Sequence, residues 1–502
     1  MQNMPHVSNE RYIEAFAQEF EQRLHSFPHE DLPDGGREFL YHQKIVNEKI
    51  LRAVREEGRR DLALLLACAT GKTRLGLNAA AASQAAKRRL GINGRRKDFF
   101  FTTEVGIADQ AHKEAKSFGM NVGKWYGGRR ELDHPFIIGT IQAAQANIAM
   151  GLRRFHKLIP PGTTDLCVYD EADCHLTEKR KRVRDELDPR ISLALTATGK
   201  WPDGRSIEDE DEFGPAVERM DLKEAMLQGI CSVPEIFFYE SGIPGDQLSV
   251  RKQDYDLKEL TTACWHAELH LALPKVYRKA VPAERRKECP TLIFVPGVKM
   301  VEATLETMNE AFGHSIRIEG LAGTEVKAKD QEQLTKEFRH GHLQMLILCR
   351  RGGRGWNLEN TVLVIDAFPT YSLNKITHQD CRGLRKILPG NDLWELGMRK
   401  EDSALIQIVP KSLKYRPALF TDVLGGFEQY QQIRRKRKGG PGGPGGGIVD
   451  EIRRRIESGD PDHRLRLVKQ INALEAIQRL DEIHQEDPDG FFRMPPRYGP
   501  HQ

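Results

Sequence analysis

Two series of short apolar runs, separated by helical stretches, constrain the fold of this 502-residue chain most strongly. Each run is long enough for one buried strand, and most of the intervening stretches have room for a helix. The first series is Leu62–Ala67, Phe99–Thr102, Phe136–Gly139, Leu166–Tyr169 and Ser192–Thr196. The second series is Ile236–Tyr239, Thr291–Val295, Met345–Cys349, Val362–Ile365 and Ala404–Ile408. Strands that alternate with helices predict parallel sheets, and two series predict two α/β domains.

Composition narrows the class of protein further. The longest apolar run, Leu62 to Ala69, is far shorter than the ~20 residues of a membrane-spanning helix, and the first residues lack a signal-peptide pattern. We therefore expect a soluble, cytoplasmic protein that does not contact a membrane. The 76 Lys and Arg nearly balance the 72 Asp and Glu, so net charge alone does not indicate a nucleic-acid partner. The eight cysteines form no C-x-x-C pair, which favours reduced thiols over zinc or disulfides.

Changes in composition suggest how the rest of the chain is organised. An apolar residue every four positions predicts a helix over Ser8–Leu24, and the acidic segment Trp201–Pro215 is expected to form a surface loop. Five basic residues, Arg434–Lys438, lead into the glycine-rich tract Gly439–Gly447, which predicts a flexible linker. Beyond it, the apolar positions that predict an amphipathic helix are Leu467, Ile471, Leu474, Ile477 and Leu480. The expected domains are an N-terminal helical extension (1–36), a first α/β domain (37–235), a second (236–425), a basic and Gly/Pro-rich linker (426–447) and a C-terminal helical extension (448–502).

A Gly-Lys-Thr triplet follows the first strand-like run, within the segment CATGKT, and an alanine-rich helical stretch comes after it. In such strand–turn–helix units, backbone N–H groups at the helix N-terminus bind phosphates. The lysine contacts the β- and γ-phosphate oxygens, and the threonine hydroxyl coordinates Mg²⁺. The residues expected to bind the nucleotide are Ala69, Thr70, Gly71, Lys72 and Thr73, with Thr73 also a metal ligand. Leu66 replaces the first glycine of the strict pattern, so the triplet alone would also fit an ordinary turn.

An acidic quartet, DEAD, follows the apolar run Leu166–Tyr169. A carboxylate at the end of a buried strand can hold Mg²⁺ through its water shell, and we assign this role to Asp170. Glu171 can then orient and deprotonate an attacking water, which indicates hydrolysis rather than transfer to a substrate hydroxyl. The alternative is an exposed acidic turn.

Taken in order, these segments resemble the motifs of superfamily 2 helicases and translocases, over roughly Leu40 to Pro410. In the first series the matching segments are Ala67–Thr73 (motif I), Phe101–Thr103 followed by Asp109–Gln110 (motif Ia), Gly139–Gln142 (motif Ib), Asp170–Asp173 (motif II) and Thr196–Thr198 (motif III). Gln43 stands where this family has its adenine-reading glutamine. The resemblance implies two tandem RecA-like parallel-sheet domains with helical N- and C-terminal extensions, and ATP and Mg²⁺ as cofactors.

The second series continues the resemblance. Its matching segments are Leu292–Phe294 (motif IV), Phe338–Gly341 with Met345–Cys349 (approach to motif V), Gly355–Leu358 (motif V), Pro369–Ser372, and HQDCRGLRK at His378–Lys386 (motif VI). The last two resemble the endings of restriction-type DNA translocases, and Phe213–Pro234 resembles the link between lobes in that subgroup. By resemblance, the catalytic residues are Lys72, Glu171, Arg382 and Arg385; Gly355 binds the cofactor; and Thr196, Thr198 and His378 couple the site to strand movement.

The same resemblance places nucleic acid across both lobes, held mainly at its phosphates. The candidate contacts are Thr102, Thr103, Thr140, Gln142, Arg354 and Asn357. The basic clusters Lys179–Arg184 and Arg434–Lys438 are candidate accessory phosphate contacts, although a solvated surface explains such charge runs better.

Three departures from the family pattern are expected to affect the catalytic rate more than nucleotide binding. Ala69 replaces a glycine of motif I, His378 replaces the glutamine of motif VI, and Cys381 replaces its glycine. Alanine keeps a backbone N–H for phosphate but tolerates positive φ less well than glycine. The two motif VI arginines remain.

The sequence thus predicts an ATP-dependent nucleic-acid helicase or translocase that acts on DNA rather than RNA. Two alternatives stay open: an RNA helicase, and a nucleotide-binding switch or scaffold with little turnover. A P-loop kinase fits less well, because Glu171 suits water as the acceptor. No nuclease or methyltransferase segment is evident, so the C-terminal extension is a candidate contact for a nuclease subunit or another protein partner.

Overall fold

The computed structural model describes most of the chain. The described residues are 7–25, 40–92, 96–175, 177–200, 205–251, 254–321, 328–349, 358–387, 393, 396–398, 400, 402–411, 417–438, 447–458 and 465–468. The chain divides into two compact units, Met1–Asp221 and Leu222–Gln502. The expected domain boundaries remain predictions.

The first unit is a parallel sheet flanked by helices. Its strands are β1 (Asp61–Leu66), β2 (Lys97–Thr102), β3 (Val122–Trp125), β4 (Phe136–Thr140), β5 (Thr164–Asp170), β6 (Ile191–Thr196) and β7 (Ala216–Met220), in the order β3-β4-β2-β5-β6-β1-β7. Its helices are α1 (Asn9–Glu21), α2 (Tyr41–Arg55), α3 (Lys72–Arg89), α4 (Val105–Ser117), α5 (Ile141–Ala149), α6 (Leu152–Leu158) and α7 (Glu178–Leu187). Because all strands are parallel, the loops that follow them lie along one edge of the sheet.

The N-terminal helix belongs to this unit. The Ser8 side chain accepts a hydrogen bond from the Arg11 N–H and so caps α1, as its position before a periodic apolar pattern indicates. Tyr12, Phe16 and Phe20 are fully buried, and the Tyr12 hydroxyl lies 2.7 Å from the Ser83 hydroxyl of α3. The predicted helix is confirmed.

The second unit repeats the architecture. Its strands are β8 (Glu235–Pro244), β9 (Val250–Arg251), β10 (Asp254–Tyr255), β11 (Thr291–Phe294), β12 (Ile318–Leu321), β13 (Met345–Leu348), β14 (Leu363–Asp366), β15 (Ala404–Lys411) and β16 (Leu465–Val468). Its main sheet has the order β12-β13-β11-β14-β15-β8-β16, in which only β16 is antiparallel to its neighbour, and β9 and β10 form a separate hairpin. Its helices are α8 (Leu222–Leu227), α9 (Leu257–His266), α10 (Leu269–Ala280), α11 (Val298–Phe312), α12 (Ala328–Arg339), α13 (Leu373–Asp380), α14 (Phe420–Val423), α15 (Phe427–Lys438) and α16 (Ile448–Glu457). The predicted fold of two α/β parallel-sheet units is confirmed.

The expected linker over 426–447 is partly wrong. Residues 427–438 form α15, because Phe427, Tyr430 and Ile433 recur every three residues and are buried against the unit. Arg434, the first residue of the basic run, forms an ion pair with Glu235. Residues 439–446 lie outside the described part of the chain.

The expected C-terminal helical extension also needs correction. Its first part is helical, since α16 buries Val449, Ile452 and Ile456. Leu467, however, lies in β16, whose backbone pairs with β8. Residues 469–502, with the remaining positions of the predicted amphipathic helix, lie outside the described residues.

The acidic segment before β7 is more than a surface loop. Ile207 and Phe213 are buried in the core of the first unit. Glu212 pairs with Lys181 at 3.2 Å and with Arg184 at 3.0 Å, so it neutralises part of the basic cluster on α7.

None of the described helices combines the length and apolar character needed to cross a bilayer.

Candidate nucleotide and nucleic-acid site

The phosphate loop joins β1 to α3 at the carboxyl edge of the first sheet. Gly71 precedes the first helical residue, Lys72, and its φ of 80° lies in the left-handed region that glycine favours. The Lys72 ammonium donates to the carbonyl oxygens of Leu66 at 3.0 Å and Ala67 at 3.1 Å. Thr73, the second residue of α3, is half-buried. The five residues predicted to bind nucleotide therefore form one tight turn and the start of one helix.

Ala69 carries backbone strain within this loop. Its φ is 69°, which is among the few positive values at non-glycine residues of the described chain. A left-handed conformation at a residue with a Cβ costs roughly 1–2 kcal/mol. Alanine at this position therefore strains the loop, because the loop adopts a conformation that glycine would adopt without strain.

Two side chains of α2 hold the loop from the side. The Thr70 carbonyl accepts hydrogen bonds from His42 Nε2 at 2.8 Å and from Gln43 Nε2 at 3.2 Å. A Cβ on Gly71 would come within 2.1 Å of Gln43 Nε2, so a larger residue there would displace the Gln43 amide in addition to adopting the left-handed φ of 80°. Gln43 Oε1 accepts the Leu40 N–H at 3.1 Å, so the predicted adenine reader is engaged at both ends of its amide.

Sequence reasoning missed His42. Burial lowers its pKa, with the hydrogen bond to Thr70 acting in the opposite direction. The sequence feature that could have pointed to His42 is its position beside Gln43 in the first turn of α2.

The acidic motif ends β5, two strands away from β1 in the sheet. Asp170 is 5% exposed, and burial together with the neighbouring Glu171 carboxylate raises its pKa to about 7, while Lys72 opposes the rise. The Glu171 N–H donates to Asp170 Oδ1 at 3.1 Å, and Glu171 has a φ of 54°. This geometry brings Asp170 into the electrostatic range of the phosphate loop.

A Mg²⁺ ion fits this donor set. A buried carboxylate that resists ionisation is stabilised by a nearby cation, and Thr73 adds a hydroxyl oxygen of the kind that Mg²⁺ prefers. Within the described ranges no group of three or more His, Cys, Asp or Glu forms a self-sufficient metal site.

The predicted coupling threonines connect to the acidic motif. Thr196, the last residue of β6, donates from its hydroxyl to Asp173 Oδ1 at 2.8 Å. The Thr198 N–H donates to Thr196 Oγ1 at 3.1 Å. Motifs II and III are therefore joined through one buried hydroxyl, whereas the side chain of the third coupling candidate, His378, lies outside the described set.

The nucleic-acid candidates of the first unit divide into two pairs. Gln142 is exposed and its Nε2 donates to the Thr103 carbonyl at 2.9 Å, which joins the loop after β2 to the first turn of α5. Thr102 and Thr140 are buried, and the Thr102 hydroxyl donates to the Glu104 carbonyl at 2.9 Å. Because both residues are almost inaccessible to solvent, a side-chain contact with nucleic acid from these two positions is disfavoured. The other nucleic-acid candidates, Arg354 and Asn357, and the cofactor-binding candidate Gly355 lie outside the described residues.

The motif VI arginines lie in the second unit, just after α13. Arg382 is 7% exposed within a 3₁₀ turn, Cys381–Leu384, and Arg385 follows the turn half-buried. Cys381 has a φ of −63°, so cysteine fits this position without the strain found at Ala69. The Ser232 N–H donates to the Leu384 carbonyl at 2.9 Å and fixes one side of the turn.

Two family models match the sequence. The model of the type III restriction enzyme res subunit covers residues 37–200, and that of the helicase conserved C-terminal domain covers residues 272–386. No curated protein resembles the chain closely enough in sequence to count as a match.

Several solved structures share the fold. A fragment of a putative HsdR subunit of a type I restriction enzyme from Vibrio vulnificus YJ016 matches with a TM-score of 0.50 and 14% identity, over 73% of this chain and 63% of that one. S. cerevisiae Dbp5 bound to RNA and ADP BeF3 matches at 0.51 and 14%, over 82% and 93%. The DUF1998 helicase MrfA bound to DNA matches at 0.51 and 13%, over 86% and 54%. This chain thus spans less than two thirds of the HsdR fragment. With the motif geometry and the two family models, the chain belongs to the superfamily 2 helicases, is related to restriction-type subunits, and consists of two tandem RecA-like domains.

Proposed function

We propose that this protein hydrolyses ATP and couples the hydrolysis to movement along DNA. The observation that carries the proposal is the acid pair beside the phosphate loop, in which Asp170 is buried and Glu171 is half-buried. Asp170 is almost inaccessible, its pKa is raised to about 7, and Lys72 is the first-unit cation that opposes this rise. Such a carboxylate is suited to a divalent cation that arrives with phosphates, and Glu171 next to it is suited to accept a proton from water.

The hydrogen bonds of Lys72 in the ligand-free loop can be exchanged for contacts with phosphate oxygens. Its ammonium is held by two neutral carbonyls, those of Leu66 and Ala67. Charge-assisted hydrogen bonds to phosphate oxygens are about twice as strong as neutral ones, so a triphosphate would draw Lys72 away from these carbonyls. Mg²⁺ held by Thr73 and Asp170 would supply positive charge to the phosphate oxygens. The role of Glu171 is to orient the attacking water and take its proton.

Two further elements support coupling of hydrolysis to movement. The Asp173–Thr196 hydrogen bond ties the acidic motif to the strand end that follows in the sheet. Arg382 and Arg385 would supply charge to the γ-phosphate during turnover, an effect worth about 10³–10⁵ in rate in other NTPases.

DNA is favoured over RNA as the polymer. The segments Pro369–Ser372 and His378–Lys386 resemble those of restriction-type DNA translocases, and the first domain matches the restriction res-subunit model. The experiment is the ATPase rate with single-stranded DNA, duplex DNA and RNA at one stated salt concentration, because salt alone changes affinity strongly. Greater stimulation by RNA than by either DNA would overturn the choice of polymer.

A matched pair of variants tests the chemistry. Glu171→Gln should lower turnover by about 10²- to 10⁴-fold while ATP still binds, because the amide cannot accept the proton. The control, Glu178→Gln, changes an exposed glutamate on α7 and should leave turnover unaltered. Normal turnover in Glu171→Gln would remove its proposed role.

The strain at Ala69 favours a second candidate, a nucleotide-binding switch with little turnover. It predicts ATP binding without phosphate release, whichever polymer is added. Phosphate release measured at saturating ATP separates the two functions.

A further inference from the structure

The segment Cys381–Arg385, here called the arginine turn, rests on one buried lysine. Lys400 is 5% exposed, and its ammonium donates to the carbonyl oxygens of Gly383 at 2.7 Å, Arg385 at 2.7 Å and Glu359 at 3.1 Å. An ammonium has three N–H donors and no acceptor, so these three carbonyls use its full capacity. Two of the three belong to the arginine turn itself.

The backbone on either side leaves the turn little freedom. Ser232 N–H donates to the Leu384 carbonyl, and Cys231 and Arg385 form an isolated antiparallel bridge. A Cβ on Gly383 would lie 3.0 Å from Val364 Cγ2, so the turn packs closely on β14. Lys400 is the charged contact in this set, and positive charge suits the carbonyl end of a helical turn.

We propose that Lys400 is a positioning residue for Arg382 and Arg385, whose ammonium holds the backbone from which both guanidinium groups project. Lys400 does not touch the reacting atoms and acts through the arginine turn. The inference rests on the proposed function, because it assigns Lys400 to the arginine step of ATP hydrolysis.

The charge state of Lys400 links this device to pH. Burial lowers the pKa of Lys400 to about 7; Arg385 also lowers it, whereas Glu359, Cys231 and Asp402 raise it. A neutral amine has two N–H donors, so one carbonyl of the set loses its partner when the proton leaves. Turnover should therefore decline as pH rises above about 7.

Stability should move in the opposite direction. Burying the ammonium opposes folding below pH 7, where Lys400 is charged in both states. Between about 7 and about 10 the unfolded chain keeps a proton that the folded protein has lost, so the contribution of this group to stability rises with pH. A loss of turnover above pH 7 would therefore not reflect unfolding caused by Lys400.

The central experiment is a double-mutant cycle on the full-length protein with Lys400→Met and Arg385→Ala. Lys400→Met should lower kcat by about 10- to 100-fold, as small misplacements of catalytic groups do, with nucleotide affinity unchanged. The double variant should lose less kcat than the product of the two single losses, because residues that act as a unit are non-additive, although Arg382 still depends on Lys400 when Arg385 is absent. The control, Lys411→Met, removes an exposed lysine at the end of β15 and should leave kcat unaltered.

Multiplicative losses in the double variant, or normal kcat in folded Lys400→Met, would overturn the inference while the proposed function stands. Normal kcat in Arg385→Ala would overturn the arginine assignment and this inference with it. If Lys400→Met does not fold, the wild-type profile decides. A kcat that declines above pH 7 while thermal stability does not fall supports the inference, and a flat kcat between pH 7 and 9 overturns it.

Discussion

Each unit of the molecule contains a buried charged group whose pKa is displaced to about 7 by burial, but the two are satisfied differently. Asp170 in the first unit adjoins another carboxylate, Glu171, and has Lys72 as its opposing charge. Lys400 in the second unit has three carbonyl oxygens on its three donors. In the proposed function the first site takes a cation and phosphates from solution, whereas the three donors of Lys400 in the second site are satisfied within its own chain. We conclude that nucleotide binding should reorganise the first unit locally and leave the arginine turn as it is.

The largest expected effect comes from Lys72→Ala. This change should remove measurable turnover and weaken nucleotide binding by about 10- to 100-fold, because it deletes a charge-assisted phosphate contact. Lys400→Met, in contrast, should leave binding unaltered. Calorimetric titration measures the nucleotide affinity of both variants. Lys157→Ala, which changes an exposed residue of α6, is the control. Equal losses of nucleotide affinity in the two variants would contradict the proposed difference between the two sites.

The next effect concerns stability and pH. Because the pKa of Asp170 is raised in the folded protein, its contribution to stability is fully present below about pH 4 and is lost as pH rises through about 7. Asp170→Asn should therefore stabilise the ligand-free protein at pH 8, on the order of a few kcal/mol, and much less near pH 4. Urea unfolding at the two pH values measures the difference. A gain of the same size at both would show that Asp170 carries no burial penalty.

A smaller effect is expected from Ala69→Gly. Relief of the left-handed strain exceeds the added flexibility of glycine in the unfolded chain, so stability should rise by about 1 kcal/mol. Ala81→Gly, inside α3, should lower it by about the same amount. The denaturation midpoint at unchanged slope measures both. If both variants lose stability, strain at the phosphate loop is not significant and the contrast with the unstrained Cys381 disappears.

The placement of the candidate site residues of the first unit was largely predictable. The phosphate loop and the acidic quartet each follow a continuous apolar strand, so their position at one edge of a parallel sheet could be inferred from sequence. The role of Lys400 could not, because an isolated lysine acquires meaning only when the fold gathers three carbonyls from Glu359, Gly383 and Arg385 around it. Likewise, no sequence pattern showed that Thr102 and Thr140 would be buried.

Edge strands and mixed segments were the harder part of the fold. β3, β7 and β12 were not predicted, since they are short and contain glycine or charged residues among few apolar ones. The basic residues at the end of α15 favour a linker in the sequence, although Phe427, Tyr430 and Ile433 have a helical period. In both cases tertiary burial decided what local composition left ambiguous.

The antiparallel strand β16 has a consequence for the integrity of the chain. It pairs with β8 from Leu465 to Val468 and so covers backbone N–H and C=O groups along that border of the second sheet. An uncovered border of this kind is a template for adding strands from other molecules. A protein truncated before Leu465 would expose this border of β8. It should therefore self-associate more readily than the full-length chain, even where its ATPase chemistry is unaltered.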